Sequence, residues 1–133
     1  MNQEEIIYYL SMIEQQARQL QEQLQSIEQG VIELASLNLG LNELEGKKDK
    51  EIFAPLGRGI FVKAKLVSEK LNVDIGGKNF VEKSIPDTKK LIQEQIKKLE
   101  EIKKELMKEL EKLNKDAEKI IEEAKKEAEK KKR

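Results

Sequence analysis

Very few residues of this chain have types and spacing suited to chemistry. Gly57 and Gly59 stand two apart, as at the start of a phosphate-cradling loop. The third glycine of a dinucleotide fingerprint is missing, however, and Ile60-Phe61-Val62 reads as a strand where a helix N-terminus would have to receive the phosphate. No glycine-rich run ends in Gly-Lys-Ser or Gly-Lys-Thr, so no ATP site is expected. Glu100-Glu101 and Glu122-Glu123 are paired carboxylates, but neighbours one residue apart on a helix do not face each other, which argues against a shared proton or a metal cage. With no Cys and no His, thiolate or imidazole nucleophiles, imidazole bases, disulfides and the usual zinc ligand sets are excluded. The reading is a non-enzyme with no catalytic residue, no cofactor and no metal. Lys130-Lys131-Lys132-Arg133 forms a basic tail that reads either as a solvated helix end or as a contact for an acidic partner surface. No aromatic platform adjoins it, so nucleic acid is not an expected partner. No apolar run reaches the ~18 residues of a membrane span, and MNQEEII lacks the basic-then-apolar order of a secretory signal. A cytoplasmic location is the expectation.

What remains is shape. Of the 133 residues 39% are charged and only 4% aromatic, with 26 basic and 26 acidic side chains. This composition favours long helices over a compact globule. The neutral total hides an asymmetry. Residues 1–45 hold eight Glu against one Arg, 46–85 hold nine basic against five acidic residues, and 86–133 hold sixteen against thirteen. An acidic first arm and a mildly basic last arm favour pairing with each other over self-pairing; the plainer alternative is two separately solvated helix surfaces.

With Ile6 at heptad position d, the first arm places Ile6, Leu10, Ile13, Ala17, Leu20, Leu24, Ile27, Val31 and Leu34 at alternating d and a positions. This is a sustained coiled-coil repeat. Asn38 takes the next a position, where a polar seam residue either fixes register or, with Gly40 close by, marks a loosening end; Leu41 takes the next d, and Gly46 is placed to terminate the helix. The last arm runs Ile92, Ile96, Leu99, Lys103 (at a), Leu106, Leu110, Leu113, Ala117, Ile120 and Ala124, and the seam then fails at Glu127 and Lys131. Its helix should begin within 84–87, where Ser84 and Asp87 are capping types and Pro86 suits the first helical position. Arms of about 43 and 47 residues would each reach roughly 65–70 Å. Similar lengths around a central insert predict an antiparallel helical hairpin, with Ile6 near residue 124.

The insert changes character and holds five of the seven glycines and all three Phe. Ile60, Val62, Ala64 and Leu66 alternate with Phe61, Lys63, Lys65 and Val67, a period-two strand. Ile52 to Leu56 precedes it across Gly57-Arg58-Gly59. Val73 and Ile75 form a third strand, and Gly76-Gly77-Lys78 turns the chain into Phe80-Val81-Glu82-Lys83. The predicted organisation is an N-terminal coiled-coil helix over 1–45, two β-hairpins over 46–84 and a C-terminal coiled-coil helix over 85–133. The fold class is mainly α. Short hairpins are marginal alone and leave edges and an apolar face to cover. Oligomerisation through the strands into a β-barrel is therefore expected, using Ile52, Leu56, Ile60, Val62, Ala64, Leu66, Val73, Ile75 and Val81.

This order of elements resembles the α class of prefoldin subunits, cochaperones of archaea and eukaryotes. The resemblance is most specific in Pro55-Leu56-Gly57-Arg58-Gly59-Ile60-Phe61-Val62-Lys63-Ala64 and in Gly76-Gly77-Lys78-Asn79-Phe80-Val81-Glu82-Lys83-Ser84. Two hairpins point to the α class, since β-class subunits carry one. The resemblance implies a hexamer of two α and four β subunits with a double β-barrel body and coiled-coil tentacles. Such an assembly holds nonnative proteins without ATP and passes them to a group II chaperonin, whose acidic rim the basic tail could reach. An α-like form, gamma, assembles with itself into filaments, and the strands here are compatible with either assembly.

A holdase must offer apolar surface off the seam. Ile7 (e), Tyr8 (f), Tyr9 (g) and Met12 (c) on the first arm, with Ile121 and Ala128 (both e) on the last, occupy positions that are usually polar. Together with the seam residues Ile6, Ile13, Ile120 and Ala124 they form the expected client-binding tip. The alternative for Ile7, Tyr9 and Ile121 is a locally widened intramolecular seam.

Overall fold

The structure is a computed structural model that describes residues 1–131. In chain order it contains α1 (Gln3–Leu44), β1 (Glu51–Gly57), β2 (Ile60–Lys65), β3 (Leu71–Asp74), β4 (Phe80–Lys83) and α2 (Ile85–Lys131). This is the expected mainly-α class: two long helices with two antiparallel β-hairpins between them. The chain divides into two compact units, an arm unit of Met1–Val31 with the residues from Lys98 on, and a strand-bearing unit of Ile32–Lys97. No helix among the described residues is long and apolar enough to cross a membrane.

In the arm unit the two helical segments run antiparallel. The amino group of Met1 lies 3.8 Å from Glu127 Oε1, and Lys103 Nζ lies 3.4 Å from Glu28 Oε1. Gly30 backs onto Leu99, whose Cδ1 stands 3.4 Å from where a Cβ would sit. The seam follows the heptad: Ile6, Leu10, Ile13, Ala17, Leu20, Leu24 and Ile27 are half-buried, as are Leu106, Leu110, Leu113, Ala117, Ile120 and Ala124, while Glu127 and Lys131 are exposed. Lys103 sits in the seam by burying its methylene stem while its ammonium meets the acidic arm. Asn2 caps α1, its Oδ1 accepting from Glu5 N at 2.8 Å and its carbonyl from Ile6 N.

The strand-bearing unit holds the buried residues. Leu41, Ile85 and Ile92 form a core against which Leu34, Leu44, Leu71 and Ile96 pack. Ser84 is the cap of α2: its Oγ accepts from Asp87 N at 3.2 Å and its carbonyl from Thr88 N and Thr88 Oγ1. The helix starts at Ile85, so Pro86 occupies its second position, where a missing N–H is equally harmless. Asn38 does not mark a loosening end. The helix continues to Leu44, and Asn38 is half-buried, with its Oδ1 lacking a donor among the described residues. Lys89 and Glu45 pair across the helices at 2.7 Å.

Both hairpin turns are two-residue turns with positive φ at each central position, Arg58 and Gly59 in one, Gly77 and Lys78 in the other. That backbone matches the twist of the flanking strands. The β1–β2 register pairs Ile52 with Ala64 and Ala54 with Val62, with a bulge between Pro55 and Gly57. The β3–β4 register pairs Leu71 with Lys83 and Val73 with Val81. Each sheet has two strands only, so every strand has a free edge. Three expected strand residues, Leu66, Val67 and Ile75, fall just outside the ladders, and Val67 is exposed. Leu66 follows β2 but still exchanges bonds with the segment before β1 (Asp49 N to Leu66 O, Leu66 N to Lys50 O). Ile75 follows β3, where its N–H already bonds Asn79 O in the turn. The connector between hairpins is anchored by Glu69, whose Oε1 accepts from Gly46 N at 2.6 Å, just past the end of α1. Gly46 has φ +74°, a left-handed conformation suited to glycine at a helix terminus.

Candidate functional site

The arm unit ends where Met1 and Lys131 come to one groove. There Ile6, Ile7, Ala124 and Ala128 line one groove, with Met1, Asn2 and Glu127 at its rim. The groove exists because the seam fails at Glu127: no large apolar side chain on α2 fills the space beside Ile6 and Ile7. Tyr8, Tyr9 and Met12 do not line it. The two tyrosines stack edge-to-face on the helix surface, ring centroids 5.7 Å apart at 71°, a favourable aromatic geometry. Ile7, Tyr8, Tyr9, Met12 and Ile121 are 40–62% exposed, whereas Ile13, Ile120 and Ala124 are half-buried in the seam. The structure thus brings four of the tip residues, Ile7 among them, into a groove and spreads Tyr8, Tyr9, Met12 and Ile121 around the helix pair beside it.

The second apolar surface belongs to the hairpins. Ile52, Ala54, Val62 and Ala64 share a face of the first, fixed by their register. Ile52, Ala54 and Ala64 are half-buried there, while Val62, Ile60 and Leu56 stand 45–70% exposed. In the second hairpin Val73 and Val81 are paired and half-buried. The opposite face of the first hairpin carries Phe53 and Phe61, and β4 carries Phe80, all three 58–68% exposed. Sequence reasoning did not include these aromatics in its assembly surface. The confinement of all three Phe to the insert was the signal that could have found them. Two-stranded ladders with unpaired edges and apolar residues on both faces leave more interaction-prone surface than a monomeric protein usually exposes.

Neither surface is equipped for bond-making chemistry. Glu100, Glu101, Glu122 and Glu123 all face solvent on α2, and no three acidic side chains among the described residues are grouped to hold a metal ion. Gly57 and Gly59 serve the hairpin turn. Of the basic tail, Lys132 and Arg133 lie outside the described residues.

Comparison with known proteins gives the same picture. The family model "Prefoldin subunit" matches residues 13–130. The chain is 42% identical over 82 residues to "Prefoldin subunit alpha" of Methanococcus aeolicus, covering 60% of this chain and 55% of that one. It is 28% identical over 89 residues to "Prefoldin subunit alpha" of Methanobrevibacter smithii, covering 66% and 61% respectively. The matched segments therefore span less than two thirds of either relative's length. Among solved structures, filamentous PFD from Methanocaldococcus jannaschii, determined by cryo-EM, superposes with a TM-score of 0.51 over 90% of this chain and 95% of that one, at 21% identity. With a family match over most of its length and the fold that goes with it, this chain belongs to the prefoldin family.

Proposed function

We propose that this chain is an α-class holdase subunit, ATP-independent, that captures nonnative proteins with the tip of its helix pair and passes them to a group II chaperonin in the cytoplasm. The observation that carries this reading is the ring of exposed Ile7, Tyr8, Tyr9, Met12 and Ile121 around the groove of Ile6, Ile7, Ala124 and Ala128. Tyr and Met are adaptable contacts suited to varied apolar partners. Ile13 and Ile120 hold the helices together beneath them. Several tips acting on one client would supply avidity that a single weak contact lacks. The α-class part of the reading is supported by the two hairpins and by the archaeal alpha subunits that the chain resembles.

The test removes residues 1–12 and 120–133. Assembly should survive, and suppression of client aggregation should fall sharply; unchanged suppression would sink the tip model.

Assembly uses the hairpin residues Ile52, Leu56, Ile60, Val62, Ala64, Leu66, Val73, Ile75 and Val81, which close a β-barrel with neighbouring subunits. Two assemblies are supported by different observations. Family membership favours a hexamer of two α and four β-class subunits. The structural neighbour was solved as a filament, which favours self-assembly of this chain. Native mass separates them: a discrete hexamer that forms only with a β-class partner, or a polydisperse long assembly of the chain alone.

A further inference from the structure

The two flanks of the α1 seam differ in kind. One flank consists of the g and c positions of the heptad: Tyr9, Met12, Gln16, Gln19, Gln23 and Ser26. Between Glu5 and Glu33 it carries no charge, in a protein with 39% charged residues. The opposite flank, at e and b, holds Glu14, Arg18 and Glu28, which form the ion pairs Glu14–Arg18 and Glu28–Lys103. The uncharged flank borders open grooves. Gln19, Gln23 and Ser26 face Ile102 and Leu106 across one of them, where Glu22, from the outer f position, supplies the one α1 carboxylate of its lining. Gln16, Gln19 and Gln23 face Leu113 across the next, whose α2 rim is Glu109, Lys112 and Asp116. Ile102, at a g position, is itself 44% exposed. The three glutamines and Ser26 are exposed, and none of their side chains makes a hydrogen bond within the described residues.

We infer that this flank is a binding track for an extended segment of nonnative polypeptide, continuing from Tyr9 and Met12 along the seam. The inference rests on the holdase reading above and names the second half of its site. An unfolded chain offers apolar side chains and a backbone whose N–H and C=O groups both need partners. A carboxylate or an ammonium satisfies only one kind of group, but a carboxamide donates and accepts. A row of glutamines therefore receives any backbone irrespective of sequence, while Ile102, Leu106 and Leu113 take the side chains. The g positions recur every seven residues, ~10.5 Å along a helix, which is about three residues of extended chain. From Tyr9 to Ser26 the track is ~25 Å long, enough for roughly seven or eight extended residues. Continuity with the tip makes the occupant the same molecule that the tip holds.

The absence of cysteine allows a clean test on the full chain. Single variants Gln16→Cys, Gln19→Cys and Gln23→Cys, with Gln21→Cys and Gln25→Cys on the other flank and Met12→Cys near the tip, are labelled with a benzophenone maleimide. Each is then irradiated with carboxymethylated, permanently unfolded α-lactalbumin. The inference expects cross-linking at 16, 19 and 23 comparable to that at 12, and much weaker at 21 and 25. Cross-linking at 12 alone, or equally on both flanks, overturns the track and leaves the tip reading standing. Absence at every position overturns both. Independently, Gln16→Glu, Gln19→Glu and Gln23→Glu should each weaken binding of the same polypeptide about threefold, the size of one net hydrogen bond, with unchanged helicity. Unchanged binding in the triple variant would count against the track.

Discussion

The strand-bearing unit and the arm unit solve the problem of stability in opposite ways. The first concentrates burial: Leu41, Ile85 and Ile92 are each less than a tenth exposed and are sealed by the capped start of α2. The second spreads burial thinly over sixteen seam positions, none fully buried among its described residues. A two-helix pair cannot surround its own side chains, so each seam residue keeps one side open to water. The difference teaches where function can reside. Binding surfaces for unfolded chains need exposed apolar groups and local mobility, and these belong to the less stable part of a fold. On the proposed holdase reading, the strand-bearing unit holds the buried structure while the arm unit keeps its apolar groups available.

This contrast can be broken experimentally. The largest effect is expected from Val62→Asp combined with Leu66→Asp. Charges on the open hairpin face should abolish the full-size assembly, read as native mass, while the helical signal of the arms persists. If a stable full-size assembly remains, the strands are not the assembly surface. Next, Ile92→Ala should cost about 2–4 kcal/mol, the usual range for a buried Ile. Ile27→Ala in the half-open seam should cost roughly half as much, since less area returns to water. Thermal melting followed by circular dichroism compares the two, and equal losses would erase the distinction between the units. The smallest effect should be a gain. Asn38→Leu removes an unsatisfied buried oxygen and should stabilise by about 1 kcal/mol; a loss would mean that Asn38 fixes the register of the helix pair, as polar seam residues can.

The helical part of the fold was legible because a 3.5-residue repeat leaves its mark at every turn. Each seam position from Ile6 to Leu41, and from Ile92 to Ala124, lies where the heptad assigns it. The hairpin turns were legible from glycine spacing, since left-handed backbone at Gly59 and Gly77 restricts what can stand there. The strand ends were not. Leu66 and Ile75 continue the alternation, yet their partners lie in connectors whose hydrogen bonds leave no periodic trace. The clasp of Glu69 on Gly46 joins residues 23 apart in an irregular segment and has no motif. At the tip, residue types pointed to an apolar cluster. Its division into a groove of Ile6, Ile7, Ala124 and Ala128 and a separate Tyr8–Tyr9 pair depends on helix rotation and side-chain size opposite. Composition alone does not contain that detail.

The antiparallel pairing also sets an order of events during synthesis. The ion pair Glu45–Lys89 closes a short stretch of chain, Glu28–Lys103 a longer one, and Met1–Glu127 nearly the whole of it. Loop-closure entropy rises with separation, so pairing should begin near the hairpins and zip toward the termini. Ile6, Leu10 and Ile13 leave the ribosome well before their mates on α2 and meet them last. Until α2 emerges, α1 is an unpaired amphipathic segment with the apolar stripe of its seam open to water.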